Sequence, residues 1–276
     1  MTYFAFLGWC LGIPLVLLTL LAWRDGKQGR KLPVALRSWP LGVVMAAHVV
    51  VALLYTTPWD NYLVATQVWW YEPRLVSGIV LGWVPVEEYT FFVLQTILTT
   101  LWFSWLARRA LVTQTAQRAA YRLRVSGAGG VTLLWLIAII ILAAGWAPGT
   151  YLGLELAWAL PPIIFQLAFG ADILWRYRRL IFWSIAVPTL YLAIGDRIAI
   201  QAGTWTIDPL QSTGVLLLGL PIEEFIFFLL TNTLVVLGTV LVLARASQER
   251  VPQALRDAIR RWDWRALLPP TPTTPS

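Results

Sequence analysis

Two glutamate pairs hold the residues most able to do chemistry in this sequence. Glu87-Glu88 sit in LGWVPVEEYTFFVLQ (81–95), and Glu223-Glu224 sit in LGLPIEEFIFFLLTN (218–232). Each pair interrupts a long apolar run, where a charged side chain costs ~2.5–3.5 kcal/mol on membrane-insertion scales. Burial among Phe, Trp and Leu disfavours the ionised form, whereas a helix N-terminus opened by Pro85 would favour it. Desolvation and acid–acid proximity are expected to win. At least one carboxyl then stays neutral near pH 7, a proton donor held in an apolar site. Neighbours on a helix point about 100° apart, so one glutamate of a pair should enter a cavity while the other hydrogen-bonds a neighbouring helix. The residue types do not say which. The competing role is structural, with the acids joining helices by polar contacts, and it is weaker for a duplicated pair than for a single residue.

Around these pairs stand weaker candidates. Asp60, Asp196, Glu72 and Asp208 fall near helix ends, where a cap or a loop charge is as good a reading as a site residue. His48, alone within an apolar run, is expected to pack or to bond between helices. Trp69, Trp83 and Trp205, with Tyr89 and Phe91, bracket the acids and have faces suited to a cationic intermediate, at ~0.5–2 kcal/mol each. With 17 tryptophans in the chain, a belt at the membrane–water boundary accounts for many of them.

The elements that must position these residues are apolar helices. Of 276 residues, 58% are apolar and only 13% charged, roughly half the charge of a soluble domain. The apolar residues come in blocks, and seven spans are expected at 3–23, 40–57, 76–105, 131–147, 151–173, 181–200 and 212–244. The net charge of +7 does not form a nucleic-acid-binding face. Its basic residues cluster between spans, at Arg24–Arg37, at Arg108, Arg109, Arg118, Arg122 and Arg124, and at Arg176–Arg179. By the positive-inside rule those loops are cytoplasmic. The first block then acts as an anchor with the N-terminus outside, and the C-terminus lies in the cytoplasm at the cell membrane. ALRDAIRRWDW (254–264) is expected to lie on the membrane surface, followed by a disordered Pro-rich end. A single cysteine, Cys10, excludes a disulfide framework and a multi-cysteine metal site.

The acids also belong to a duplication. Sliding the chain by 136 positions aligns Leu54–Leu101 with Leu190–Leu237, with 15 of 48 residues identical. Asp60 meets Asp196, Trp69 meets Trp205, Pro85 meets Pro221, both glutamate pairs coincide, and Phe91-Phe92 meet Phe227-Phe228. The expected organisation is two three-helix repeats, 1–110 and 151–246. Between them lies a basic loop plus a linking helix (111–150), and a basic tail follows (247–276). The linking crossing would make the repeats parallel and put both glutamate pairs on one side, about a pseudo-twofold axis.

The elements PWDNY (58–62), LGWVPVEEYTFF, GDRIAIQAGTW and LGLPIEEFIFF resemble the lycopene cyclase domain family of bacteria and archaea. That family has a heterodimeric form of two three-helix subunits and a fused form, which this chain resembles over most of 1–246. The second repeat departs from the first where Ile194-Gly195 replace Pro58-Trp59. The resemblance implies that a carboxylic acid protonates the ψ end group of lycopene and a ring closes through a carbocation. A base then removes a proton, giving a cyclic, β-ionone-type end. No net redox change occurs, so no cofactor is implied. No G-x-G-x-x-G follows a strand, which argues against the unrelated flavin-containing cyclases, and no metal-ligand spacing is present. On this resemblance the acid/base set is Glu87, Glu88, Glu223 and Glu224, with Asp60 and Asp196 second. Phe91, Phe92, Phe227, Phe228, Tyr89, Trp69 and Trp205 would bind substrate. The implied partners are a lipophilic carotenoid arriving from the bilayer, membrane lipids and other carotenoid-pathway enzymes. Cyclisation of longer C50-type carotenoids, proton-coupled transport and non-catalytic pigment binding remain open as alternatives.

Overall fold

The computed structural model describes residues 1–110 and 121–253. Arg118, the surface helix expected at 254–264 and the Pro-rich end lie outside the described residues. Seven helices are long and apolar enough to cross a membrane. They are α1 (Tyr3–Lys27), α2 (Leu41–Ala65), α3 (Val86–Ala107), α4 (Tyr121–Ala143), α5 (Thr150–Arg176), α6 (Arg178–Gln201) and α7 (Ile222–Leu243). The short α8 (Arg245–Arg250) follows. The expected architecture of about seven membrane-crossing helices is therefore present, with three short two-stranded ribbons added to it.

Helices α3 and α7 form the centre. Over half of the apolar window of each is buried, 56%, against 6% for α4, which packs on the outside against α5. A polar seam joins the central pair: Gln95 Nε2 donates to Thr231 Oγ1 at 2.8 Å, and Thr99 Oγ1 donates to Asn232 Oδ1 at 2.6 Å. Among apolar surfaces that do not drive helices together in lipid, such bonds fix which faces meet.

Two spans differ from expectation in an instructive way. Residues 76–85 and 212–221, read as the first turns of long helices, instead fold back as tight hairpins. Strand β2 (Val80–Leu81) pairs with β3 (Val84–Pro85), and β5 (Leu216–Leu217) pairs with β6 (Leu220–Pro221). Proline explains the break, since Pro85 and Pro221 stand at the N-caps of α3 and α7 and a proline has no N–H to extend a helix backwards. The first hairpin needs a glycine at its turn. Gly82 takes φ 73°, and a Cβ there would collide with the Asn61 side chain, whose Oδ1 accepts from Trp83 N at 2.7 Å. The glutamate pairs lie in the first turns of α3 and α7. Other boundaries also move. Helix α2 continues through Pro58 to Ala65, so residues 58–65 are not loop, and the linking helix occupies Tyr121–Ala143 rather than 131–147.

Strands β1 (Trp69–Tyr71) and β4 (Trp205–Ile207) come from distant parts of the chain and pair antiparallel. Trp70 faces Thr206 at the centre of this ribbon, while Trp69 faces Ile207 and Tyr71 faces Trp205. Residues 136 positions apart thus meet at its midpoint.

The opposite end is closed by ion pairs. Asp25, buried, accepts from Arg109 Nη1 and Nη2 at 2.8 and 2.9 Å, with Arg108 and Arg30 each 3.8 Å away. Asp172, also buried, accepts from Arg250 at 3.0 and 2.7 Å. Arg109→Gln should destabilise the protein by ~1.5–3 kcal/mol, because it removes a two-pronged, charge-assisted contact to a buried carboxylate. Thermal unfolding in detergent checks this; an unchanged melting temperature would mean that Arg108 and Arg30 suffice.

Candidate active site

The two glutamates of each pair have separate surroundings. Glu87 turns back to the preceding loop, where its Oε1 accepts from Ser77 N at 2.5 Å. Glu223 does the same, accepting from Thr213 N and Thr213 Oγ1, each at 2.7 Å, and from Ser212 Oγ at 3.2 Å. These residues fasten the hairpin to the helix it precedes. Their partners are loop groups, not the neighbouring helix expected from sequence, and neither lines the cavity.

Glu88 and Glu224 face inward. Tyr3 donates to Glu88 Oε2, and Tyr71 donates to the same oxygen at 3.0 Å. Tyr151 donates to Glu224 Oε1 at 2.7 Å. Tyr71 lies in β1 and itself accepts from Trp69 Nε1 at 3.2 Å. Burial and the neighbouring Glu88 hold its phenol well above the usual tyrosine range, so it remains a protonated donor.

Asp60 on α2 and Asp196 on α6 complete the set. They were expected near helix ends, but both are buried within helices and both line the same chamber. Neither oxygen of Asp60 has a hydrogen-bond partner among the described residues, nor does Asp196 Oδ2. Asp196 lies within reach of the Glu224 carboxyl and the Trp205 indole. Four carboxyls from four helices thus converge on a cavity of about 40 Å³. Glu72 and Asp208 stay outside. Glu72 pairs with Arg74 at 3.4 Å on the surface, and Asp208 Oδ1 accepts from Leu210 N at 2.9 Å in a turn.

Aromatic rings enclose the acids. Trp59 stacks on Trp158 at 4.4 Å and on Phe227 at 6.0 Å, Trp205 lies 5.0 Å from Tyr3, and Phe91 lies 6.2 Å from Phe228. Of the expected substrate-binding residues, Phe91, Phe92, Phe227, Phe228, Trp69 and Trp205 line the chamber. Tyr89 does not. It faces the first hairpin, donating to Leu81 O at 2.7 Å and accepting from Asn61 Nδ2 at 3.0 Å. It is the helical neighbour of Glu88 and so points to a different side. Among the described residues no group of three or more His, Cys, Asp or Glu side chains is placed to hold one metal ion.

Phe92 and Phe227 also border a second space, an apolar cleft of about 400 Å³ between α2, α3, α5 and α7. Ala47, Val51, Ala52 and Trp158 form part of its wall. His48 is there too, its Nδ1 2.8 Å from Val44 O in the same helix and its ring packed against Gly238 of α7.

Sequence reasoning missed Tyr3, Tyr71, Tyr151, Trp59 and Glu155. The repeated Thr-Tyr dipeptides, Thr2-Tyr3 and Thr150-Tyr151, were the available signal for two of them, and Glu155 is the only acid in the apolar run 150–171.

Comparison with known proteins follows the same two halves. The sequence model described as lycopene cyclase matches residues 2–106 and again 148–242. A lycopene beta-cyclase of Halobacterium salinarum is 40% identical over 254 residues, covering 88% of this chain and 98% of that protein. Two longer fungal proteins, each a bifunctional lycopene cyclase/phytoene synthase, are also similar. The one from Gibberella fujikuroi is 35% identical over 73% of this chain, and the one from Podospora anserina is 39% identical over 69%. This chain spans 38% and 33% of their respective lengths. No solved structure matches.

Proposed function

Because this chain belongs to the lycopene cyclase family, we propose that it turns ψ ends of lycopene into β-ionone rings by acid–base catalysis, without a flavin or other redox cofactor. The observation that carries the mechanism is the convergence of Glu88, Glu224, Asp60 and Asp196 on one aromatic-walled cavity. A protonated carboxyl adds its proton to the terminal double bond. The electron pair of the next double bond then closes a six-membered ring and moves the positive charge onto the ring. A carboxylate takes a ring proton, and the released electron pair forms the ring double bond. Electrons stay within the substrate, and the product is an isomer of the substrate.

Each part of the site has a role in this scheme. Trp59, Trp205 and Phe227 present ring faces to the cation, at ~0.5–2 kcal/mol each. Excluding water prevents capture of the cation as an alcohol. The apolar cleft receives the polyene from the bilayer, and Phe92 and Phe227, shared by both spaces, are the gate. A 40 Å³ chamber holds little more than water, so these rings must turn aside to admit an end group. We read the two halves as parallel repeats whose acids share one side of the cell membrane, with the N-terminus outside and the C-terminus in the cytoplasm.

Expression in a lycopene-accumulating host tests the reading. Chromatography of extracted pigment should show monocyclic and bicyclic carotenes carrying β-ionone rings. Unchanged lycopene beside confirmed membrane-inserted protein would reject C40 substrates, and longer acyclic carotenoids would be tried next.

A further inference from the structure

The two halves bring matched glutamates to the cavity but surround them differently. In the first half, Glu88 accepts from two phenols, Tyr3 and Tyr71. The position matching Tyr71, 136 residues on, is Ile207, so Glu224 accepts from one phenol only, Tyr151. A second difference lies one helical turn inward from each tyrosine. Four residues after Tyr3 stands Leu7, and four after Tyr151 stands Glu155. Glu155 is fully buried, and neither of its oxygens has a hydrogen-bond partner among the described residues. It interacts electrostatically with Glu224 and Glu223 of α7 and with Tyr151 of its own helix. It does not line the cavity.

Hydrogen bonds donated to a carboxyl favour its charged form, whereas a further acid nearby disfavours a second negative charge. Each glutamate has one aspartate beside it, Asp60 at Glu88 and Asp196 at Glu224, so the second phenol and Glu155 make the difference. Glu88 is thus built to carry charge, and Glu224, backed by Glu155, is built to carry a proton. We propose that the halves divide the reaction, with Glu224 donating the initiating proton and Glu88 accepting the ring proton, and that Glu155 is a positioning residue that keeps Glu224 loaded. Each ring closure moves one proton from Glu224 to the substrate and one from the substrate to Glu88. Glu155 refills Glu224, the proton on Glu88 leaves to water as the site reopens, and Glu155 regains one proton from water, so proton count and charge are restored. This rests on the cyclase reading above.

The test uses the full-length protein in liposomes loaded with lycopene. Glu155→Leu copies the residue that the first half carries, so it should insert and fold. Glu155→Gln keeps the shape but cannot release a proton, and Glu155→Asp keeps the acid. The expected result is kcat lower by at least about tenfold in the Leu and Gln variants with KM unchanged, and largely restored in the Asp variant. Gln at wild-type kcat, or Asp no better than Gln, would overturn the role of Glu155. A wild type that leaves lycopene unchanged would instead reject the cyclase reading itself. The division of labour has its own readout. Glu224→Gln should leave lycopene intact, while the residual turnover of Glu88→Gln should give rings with a displaced double bond, because the cation forms but loses its proton elsewhere. The reverse pattern, or two variants that behave alike, overturns it.

Discussion

Cells that accumulate lycopene and carry the Glu224→Gln chain should keep their pigment acyclic, with conversion reduced by about a thousandfold or more. A positioned general acid contributes typically ~10²–10⁴-fold, and in the proposed scheme Glu224 is the group that supplies the initiating proton. The informative control is the adjacent residue. Glu223→Gln leaves the cavity unchanged and retains a side-chain oxygen for the Thr213 amide and hydroxyl contacts. Its cost should be a looser hairpin at 212–221, seen as a lower melting temperature and a few-fold loss of rate. Glu88→Gln should likewise cost far more rate than Glu87→Gln, but with the displaced double bond in its residual product. Pigment ratios normalised to membrane-inserted protein measure both effects. If Glu223→Gln were as inert as Glu224→Gln, the division of each pair into a cavity acid and a loop fastener would be wrong.

The second large effect concerns delivery rather than chemistry. Ala52→Trp places an indole in the wall of the 400 Å³ cleft, on a side chain that is only partly covered, so the helix can carry it. The added ring fills much of the space that a polyene end would cross, and apolar contact area is the substrate's main source of binding energy. Conversion at low lycopene should fall by about tenfold or more. A partial recovery is expected at high substrate, whereas the acid variants recover nothing. Initial rates across a range of lycopene loadings separate the two cases. Equal inhibition at all loadings would place the entry route elsewhere.

Much of this arrangement could be read from the chain, and the failures have definite causes. Carboxyls inside apolar runs are conspicuous because few roles offset their desolvation, and their repetition at a fixed offset with Pro85 and Pro221 marked them as a set. Asp60 and Asp196 were found through the same offset, although helix-end statistics pointed away from their burial. The hairpins were invisible because VSGIVLGWVP has the composition of a span, and only Pro85 and two glycines in it hint at a break. Tyr89 is next to Glu88 in sequence, which on a helix means a different direction. The phenols that do reach the glutamates are 85 and 73 residues away along the chain for Tyr3 and Tyr151, a separation that only tertiary packing closes. Glu155 went unweighed because it has no partner in the other half, and that lack of a partner is what the proposed division of roles is built on.

The ribbon formed by β1 and β4 has a bearing on how such a protein changes over generations. It joins the halves through main-chain groups, which every residue but proline supplies, so substitutions on one strand need not be answered on the other. A fastening indifferent to side-chain identity lets one half drift while the assembly stays registered. Tyr71 facing Trp205, where its own counterpart is Ile207, is drift of that kind kept at the edge of the cavity. Specialisation of two once-equivalent halves then requires no new architecture, only a seam that does not record what each side has become.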